Sequence, residues 1–284
     1  NTPLVTLKGE RVVAKAEFLN PGGSIKDRIA LAMIETAEKD GTLRQGTKIV
    51  EPTSGNTGIG IVMVGVSKGY GVYIFMPEGM SQERKNIIRV LGGKLVLTPD
   101  SKGVAGAVSA AEKFAKENNA FVPNQFKNPA NPRVHYETTA PELWRQSEGN
   151  IGAFVSGIGS GGTLQGVGTF LKEKNKKIIL VAVEPANKSA LLGHEPGLHA
   201  IQGIGDGFIP DVLDVSIVDK IVEVTDDEAI GTTRELAKSN ALLVGTSSGA
   251  NVWAARKIAK ENPGIVVATV LPDRAERYFS TGLL

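Results

Sequence analysis

A lysine that a tight, glycine-rich turn delivers to the start of a helix is a candidate for covalent amine chemistry, and the sequence holds one in Asn20-Pro21-Gly22-Gly23-Ser24-Ile25-Lys26-Asp27-Arg28. A cation beside the positive end of a helix dipole is disfavoured, which lowers its pKa and frees the amine for Schiff-base formation. A surface lysine paired with a nearby acid explains this loop alone equally well. A second loop, Glu51-Pro52-Thr53-Ser54-Gly55-Asn56-Thr57-Gly58, places three hydroxyls and an amide where a helix begins. Hydroxyls and backbone N–H groups there form an anion site suited to an amino acid's carboxylate, and they exceed what an ordinary N-cap needs. A third, Ser156-Gly157-Ile158-Gly159-Ser160-Gly161-Gly162-Thr163, can wrap a phosphate. Gly157, Gly159 and Gly162 also fit the dinucleotide fingerprint, with Glu184 about 20 residues on, so an NAD-dependent oxidoreductase is a rival reading. A P-loop would need a lysine that is absent here. The fourth, Gly245-Thr246-Ser247-Ser248-Gly249-Ala250, reads by itself as a helix cap.

Each loop falls where a strand is expected to end and a helix to begin, the place where open α/β sheets bind ligands. Short β-branched runs alternate with longer amphipathic segments, the pattern of parallel strands joined by crossover helices, and the fold class is α/β. Strands are expected at Arg11 to Glu17, Lys48 to Glu51, Val72 to Met76, Lys94 to Thr98, Ala153 to Ser156, Ile178 to Val183, Lys220 to Val224 and Ile265 to Leu271. Helical spacing marks Asp27 to Asp40, Ser81 to Leu91, Val104 to Glu117, Arg133 to Gln146 and Asp226 to Ser239. Asn124 to Pro132, with two prolines and three asparagines, breaks the rhythm and is the candidate hinge between an N-terminal subdomain, 1–130, and a C-terminal one, 131–284. Glu184 to Pro210, rich in Gly and Pro, is long enough to line a site or form a lid.

Composition removes other classes. With 32 Lys and Arg against 30 Asp and Glu and 5% aromatic residues, no basic stripe with stacking platforms points to nucleic acid. No apolar run approaches the roughly 20 residues that span a bilayer, and no leader pattern opens the chain, so a cytoplasmic protein away from membranes is expected. Zero cysteines exclude disulfides, thiolate metal sites and a thiol nucleophile; His135, His194 and His199 are too scattered for a metal cluster. The sequence opens on Asn1 and stops at Leu284, and terminal residues beyond these lie outside this reading.

Taken in order, the four loops resemble the signature of the fold-type II pyridoxal-phosphate enzymes, which are tryptophan synthase β-like, and the wording is closest to the cysteine synthase (O-acetylserine sulfhydrylase) branch. The likeness runs from Asn1-Thr2-Pro3-Leu4 through Pro77-Glu78-Gly79-Met80-Ser81, Asn128-Pro129-Ala130-Asn131-Pro132 and Ile201-Gln202-Gly203-Ile204-Gly205 to Glu276-Arg277-Tyr278. It implies two intimately packed subdomains, each with a mostly parallel twisted sheet flanked by helices. The first strands are allowed to cross over, and the carboxylate-binding subdomain closes over the substrate. It implies pyridoxal 5'-phosphate as cofactor, with Lys26 carrying it covalently and, once released, removing the Cα proton. Asn56 would meet the ring hydroxyl oxygen, Gly159, Ser160, Gly161, Gly162 and Thr163 the phosphate, and Ser247 the pyridine nitrogen. Thr53, Ser54, Thr57 and Gln125 would bind the substrate carboxylate. A neutral hydroxyl at the pyridine nitrogen draws fewer electrons than the acidic partner of transaminase-type enzymes, which favours β-elimination. The implied reaction is β-replacement: O-acetylserine loses acetate and sulfide adds, with ping-pong kinetics. The resemblance also implies a homodimer and docking of the C-terminal tail of serine acetyltransferase. Cystathionine β-synthase, cyanoalanine synthase and serine dehydratase share the signature and remain alternatives.

Four positions depart from the pattern. Ser160 replaces a threonine but keeps the hydroxyl. Arg274-Ala275 stands where Ser-Gly is usual, in a segment expected behind the cofactor ring, so Arg274 either alters ring electronics or faces solvent. Asp206 replaces a small residue in a loop expected at the site entrance, where a carboxylate would weaken anionic ligands.

Overall fold

The computed structural model describes residues 1–53, 55–194 and 197–282. Its strands are β1 (Leu4–Thr6), β2 (Val12–Lys15), β3 (Ile49–Pro52), β4 (Val72–Pro77), β5 (Lys94–Thr98), β6 (Ala153–Gly157), β7 (Ile179–Pro185), β8 (Lys220–Val224) and β9 (Val267–Val270). A six-stranded sheet has the order β1-β2-β9-β6-β7-β8, parallel except for β1, and a three-stranded parallel sheet has the order β3-β4-β5. Strands such as Ala153-Phe154-Val155 and Leu180 to Val183 are wholly buried, as expected where helices cover both faces of a parallel sheet. The expected strands all form, with ends shifted by a few residues. β1 escaped the sequence because three residues after Pro3 carry too little periodicity to register.

The helices are α1 (Lys26–Asp40), α2 (Asn56–Ser67), α3 (Gln82–Val90), α4 (Gly103–Asn118), α5 (Ala130–Val134), α6 (Ala140–Gln146), α7 (Gly162–Lys174), α8 (Asp226–Asn240) and α9 (Thr246–Glu261). Local signals set their ends: α1 stops at Gly41 in the left-handed region, and α8 starts with a capping box between Thr225 and Glu228. The expected single helix from Arg133 to Gln146 is instead three pieces, with a π-helical turn at His135–Thr139 between α5 and α6. Pro141 has no N–H to give the Glu137 carbonyl, and the Thr138 hydroxyl donates to Val134 O at 2.6 Å, so the regular ladder cannot run through.

One apolar core lies between α8, α9 and the large sheet, another covers its opposite face under α6 and α7, and a third packs α1 and α2 on the small sheet. Beneath the first two strands runs a buried ionic network. Lys15 Nζ, fully buried, lies 2.8 Å from Glu142 Oε2, and Arg28 bridges Glu142 (2.7 Å) and Glu17 (2.8 Å). Thr2 donates to Glu17 at 2.7 Å, so the N-terminal segment, β2, α1 and α6 meet in one polar cluster.

Candidate active site

The helices that follow the four loops all begin at the carboxyl-end side of the strands, and their N-termini are drawn together by a few side chains. The turn before α1 is tied to the end of β9: Ile25 N–H donates to Pro272 O at 2.9 Å and Ser24 bridges to Asp273. Asn56, the first residue of α2, donates to Asp273 Oδ2 at 2.6 Å. Gly245, the N-cap of α9, donates its N–H to the Asp273 carbonyl at 3.1 Å. Asp273 is therefore the hub of three helix starts, and Tyr278 O–H also donates to its carboxylate. Its Oδ1 is buried without a partner. Sequence reading passed over Asp273; the available signal was an acid directly after the Pro that ends a buried strand.

Lys26 opens α1 and stays partly open to the cleft. Desolvation pushes its ammonium below the usual lysine range, and Asp206 and Asp273 oppose that shift. Burial, more than the helix dipole, makes the amine available. Asp27 beside it accepts from Gly22 N–H at 2.6 Å and so holds the delivering turn; burial pushes its carboxyl up to about 6 against the pull of that N–H.

At the start of α2, Thr57 donates to Gln125 Oε1 at 2.7 Å, which brings two residues 68 positions apart into one buried pair. Thr53 accepts from Gly55 N–H at 3.3 Å. Ser54 lies outside the described residues. Asn56 already holds Asp273 with one amide hydrogen and accepts from Arg277, leaving its second N–H for another acceptor. Gln125 is supported by Glu51, which the sequence reading also missed. Glu51 is buried at the end of β3 and accepts from Asn124 N–H at 3.2 Å, fixing the left-handed turn at Asn124. Burial pushes its carboxyl up to about 7 against the N–H groups of Asn124 and Gln125. A carboxyl raised in the folded state contributes stability below its unfolded value of 4.5, and this is lost as pH rises through 7. Glu51→Gln is expected to stabilise the protein by about 1–2 kcal/mol at pH 8 and to flatten stability between pH 4.5 and 7 in urea titrations.

The Ser156–Thr163 loop is a cradle with no room for side chains. A Cβ on Gly159 would lie 2.4 Å from Gly203 O, and one on Gly162 only 1.9 Å from Asn131 Oδ1. Asn131 is the staple: its Nδ2 donates to Gln125 O at 2.8 Å and to Ser160 Oγ at 3.0 Å, joining the phosphate-type loop to the carboxylate-type loop. Its Oδ1 is buried and unpartnered. Thr163, in the first turn of α7, contacts His135 Nε2 at 3.3 Å, and His135 Nδ1 lies 2.9 Å from Thr139. The π-helical turn places this buried imidazole, and burial together with Lys26 and Arg28 keeps it neutral. A backbone-lined anion cradle at a helix start, an amine whose charged form burial disfavours and the buried unpartnered oxygens of Asn131 and Asp273 fit a cofactor bearing a phosphate, an aldehyde and a polar ring. Gly162→Ala is expected to displace Asn131 and weaken binding of a phosphorylated cofactor by about tenfold or more, read by fluorescence titration.

Ser247 sits buried in the first turn of α9. Arg274 is exposed and donates to Phe18 O at 2.9 Å, so of the two expected placements it takes the one toward solvent. The cation that reaches the site is Arg277, bonded to Asn56 and Gly22 O. Glu184, which a dinucleotide would need for its ribose, instead accepts from Ser189 Oγ at 2.7 Å and Leu191 N–H at 3.0 Å. It pins the following loop, and the dinucleotide reading loses its anchor. Among the described residues no helix is long and apolar enough to cross a membrane.

Comparison with known proteins agrees with this geometry. The family model described as pyridoxal-phosphate dependent enzyme matches residues 1–273. A cysteine synthase of Staphylococcus aureus (strain N315) is 50% identical over 99% of this chain and 94% of its own. The crystal structure of a cysteine synthase from Entamoeba histolytica superposes with a TM-score of 0.96 at 42% identity, covering 100% of this chain and 88% of that one. The O-acetylserine dependent cystathionine beta-synthase from Helicobacter pylori gives 0.93 at 41% identity, over 100% and 95% of the two chains.

Proposed function

Since the chain belongs to the family of pyridoxal-phosphate-dependent enzymes, with cysteine synthases among its full-length relatives, we propose that its site converts O-acetyl-L-serine and sulfide to L-cysteine and acetate. The enzyme is a cysteine synthase in this reading. The observation that carries it is the meeting of four helix N-termini around the Lys26 amine, two of them bearing anion sites of different kinds. Pyridoxal 5'-phosphate, when bound, supplies the electron sink that makes the Cα proton removable and lets the β-acetoxy group leave.

The residues divide the remaining work. Gly159, Ser160, Gly161, Gly162 and Thr163 hold the phosphate on the α7 dipole, with Asn131 and His135 keeping the two hydroxyls in place. Asn56 offers its remaining N–H to the ring oxygen, and Ser247 offers a neutral hydroxyl to the ring nitrogen. Lys26 provides the covalent link and then, as a neutral amine, accepts the Cα proton. The substrate carboxylate takes the N–H groups at the start of α2 together with Thr53, Ser54, Thr57 and Gln125. We take residues 1–130 as the subdomain that closes over this site and 131–284 as the one that holds the cofactor. Strands β1 and β2 pair into the large sheet and so act as the tether between them.

The test is the visible spectrum of the purified protein during successive additions. A cofactor band that shifts with O-acetylserine and returns with sulfide is the expected result; a colourless protein that cannot be reconstituted with pyridoxal phosphate would overturn the reading. A homodimer, and docking of a serine acetyltransferase C-terminal tail whose carboxylate would take the α2 anion site, complete the proposal. Light scattering reads the first, and competition between the tail peptide and O-acetylserine reads the second.

A further inference from the structure

The loop 201–207 carries a carboxylate that none of the roles above uses. Gly205 N–H donates to Ile158 O at 2.8 Å, and Gln202 N–H donates to Thr246 Oγ1 at 3.2 Å. Arg84 reaches across from α3 to Gln202 Oε1 at 2.6 Å. His199 Nε2 lies 3.0 Å from Gly205 O. Gly205 has φ +72°, and a Cβ there would lie 2.5 Å from Pro185 Cγ, so the backbone on the N-terminal side of Asp206 is locked. On its other side Gly207 packs on Lys188, whose Cε would lie 2.5 Å from an added Cβ. The loop is thus pinned to the phosphate cradle on one side and to the start of α9 on the other.

Asp206 keeps an open surface and has no hydrogen-bond partner or close ion pair among the described residues. The titratable groups that act on it are Lys26, Lys188 and His199. Two carboxylates act on Lys26, and Asp273, the other, is already engaged by Asn56 and Tyr278. Asp206 is therefore the uncommitted one of the two carboxylates that act on Lys26. Partial desolvation by neighbouring protein pushes its carboxyl up, and Lys26, Lys188 and His199 oppose this, while its accessible surface stays open. An acid placed only for solubility would not need a loop fixed by four hydrogen bonds.

We propose that Asp206 is a specificity-determining residue that selects the second substrate by charge, disfavouring hydrosulfide and other small anions beside Lys26 relative to neutral nucleophiles such as an uncharged thiol. A free thiol with pKa about 8.5 enters mostly neutral at pH 7 and escapes the repulsion. The carboxylate of the first substrate is bound at α2, where the N–H groups and Gln125 outweigh a more distant charge. This inference rests on the β-replacement reading of the site.

The test compares the holoenzyme with Asp206→Asn, Asp206→Ala and Asp206→Glu. Azide, a small unreactive anion, is titrated while the absorbance of the bound cofactor is followed, and products are then quantified when sulfide and 2-mercaptoethanol compete for O-acetylserine. Azide is expected to bind about tenfold more tightly to the Asn and Ala proteins than to the wild type or Asp206→Glu, with the product ratio moving toward cysteine by a similar factor. Unchanged azide affinity in Asp206→Asn, or a change in Asp206→Ala alone, would overturn the proposal, because shape and not charge would then be at work. If azide affinity shifts as expected while no protein forms product from O-acetylserine, the charge role stands and the β-replacement reading falls.

Discussion

Lys26→Ala is expected to lower kcat by about 10³-fold or more, since one side chain serves both as the covalent attachment point and as the proton acceptor. The visible band of the purified protein should disappear or move to that of unlinked cofactor, while the circular dichroism spectrum stays that of the wild type. The fold should survive because burial already disfavours the ammonium at this position, so its removal takes away a desolvation cost along with the packing of the side-chain stem. Lys26→Arg is the sharper control. It restores length and charge but cannot present a neutral amine, because guanidinium does not deprotonate in proteins. A role in electrostatic steering alone would let arginine recover much of the activity; a role as nucleophile and base would not. Retention of more than a tenth of wild-type turnover by the alanine protein would sink the assignment.

How much of this was legible beforehand depends on what kind of signal each feature leaves. Parallel strands buried on both faces are continuous apolar runs, and each of the expected runs became a strand; β1, with three residues, left no period to detect. The four loops were visible because glycines and hydroxyls cluster at strand-to-helix junctions, and Gly162 shows the cause, since a Cβ added there would lie 1.9 Å from Asn131 Oδ1. What stayed hidden were the residues that act at a distance in sequence. Asn131 joins loops at 125 and 160, Asp273 joins helix starts at 26, 56 and 245, and Glu51 holds Asn124. Each is a single polar residue with at least one partner tens to hundreds of positions away, and no local pattern announces such a pairing. His135 is a variant of the same problem: its usefulness comes from a π-helical turn caused by Pro141, whereas helical spacing predicted an uninterrupted helix. Arg274 shows the converse, a residue suspicious in sequence that backbone geometry turns toward the Phe18 carbonyl and solvent.

The second large effect is structural. Glu142→Gln is expected to cost about 3–5 kcal/mol at pH 7, because it leaves Lys15 fully buried without its close carboxylate. Arg28 keeps Glu17 and so loses less. The two ends of the Lys15–Glu142 pair pull in opposite directions: burial drives Lys15 below its usual range, whereas at Glu142 burial is outweighed by hydrogen bonds from Arg28 and Lys15, which hold the carboxyl at about 2. The carboxylate governs the pH response since both Arg28 and Lys15 bond to it, whereas the lysine has one close carboxylate. A carboxyl lowered from 4.5 contributes stability that is fully present above pH 4.5 and is lost as pH falls through 2, roughly 3 kcal/mol in all. Urea midpoints of the wild type should therefore fall across that window, and those of Glu142→Gln should be flatter there. Glu51 and Asp27 work in the opposite sense at higher pH, since burial raises both carboxyls in the folded state. The double variant Lys15→Met with Glu142→Gln should recover part of the loss by removing the orphaned charge. A Glu142→Gln protein within about 1 kcal/mol of wild type at pH 7 would mean that water reaches Lys15 and that the network tethers the N-terminal segment without supporting the fold.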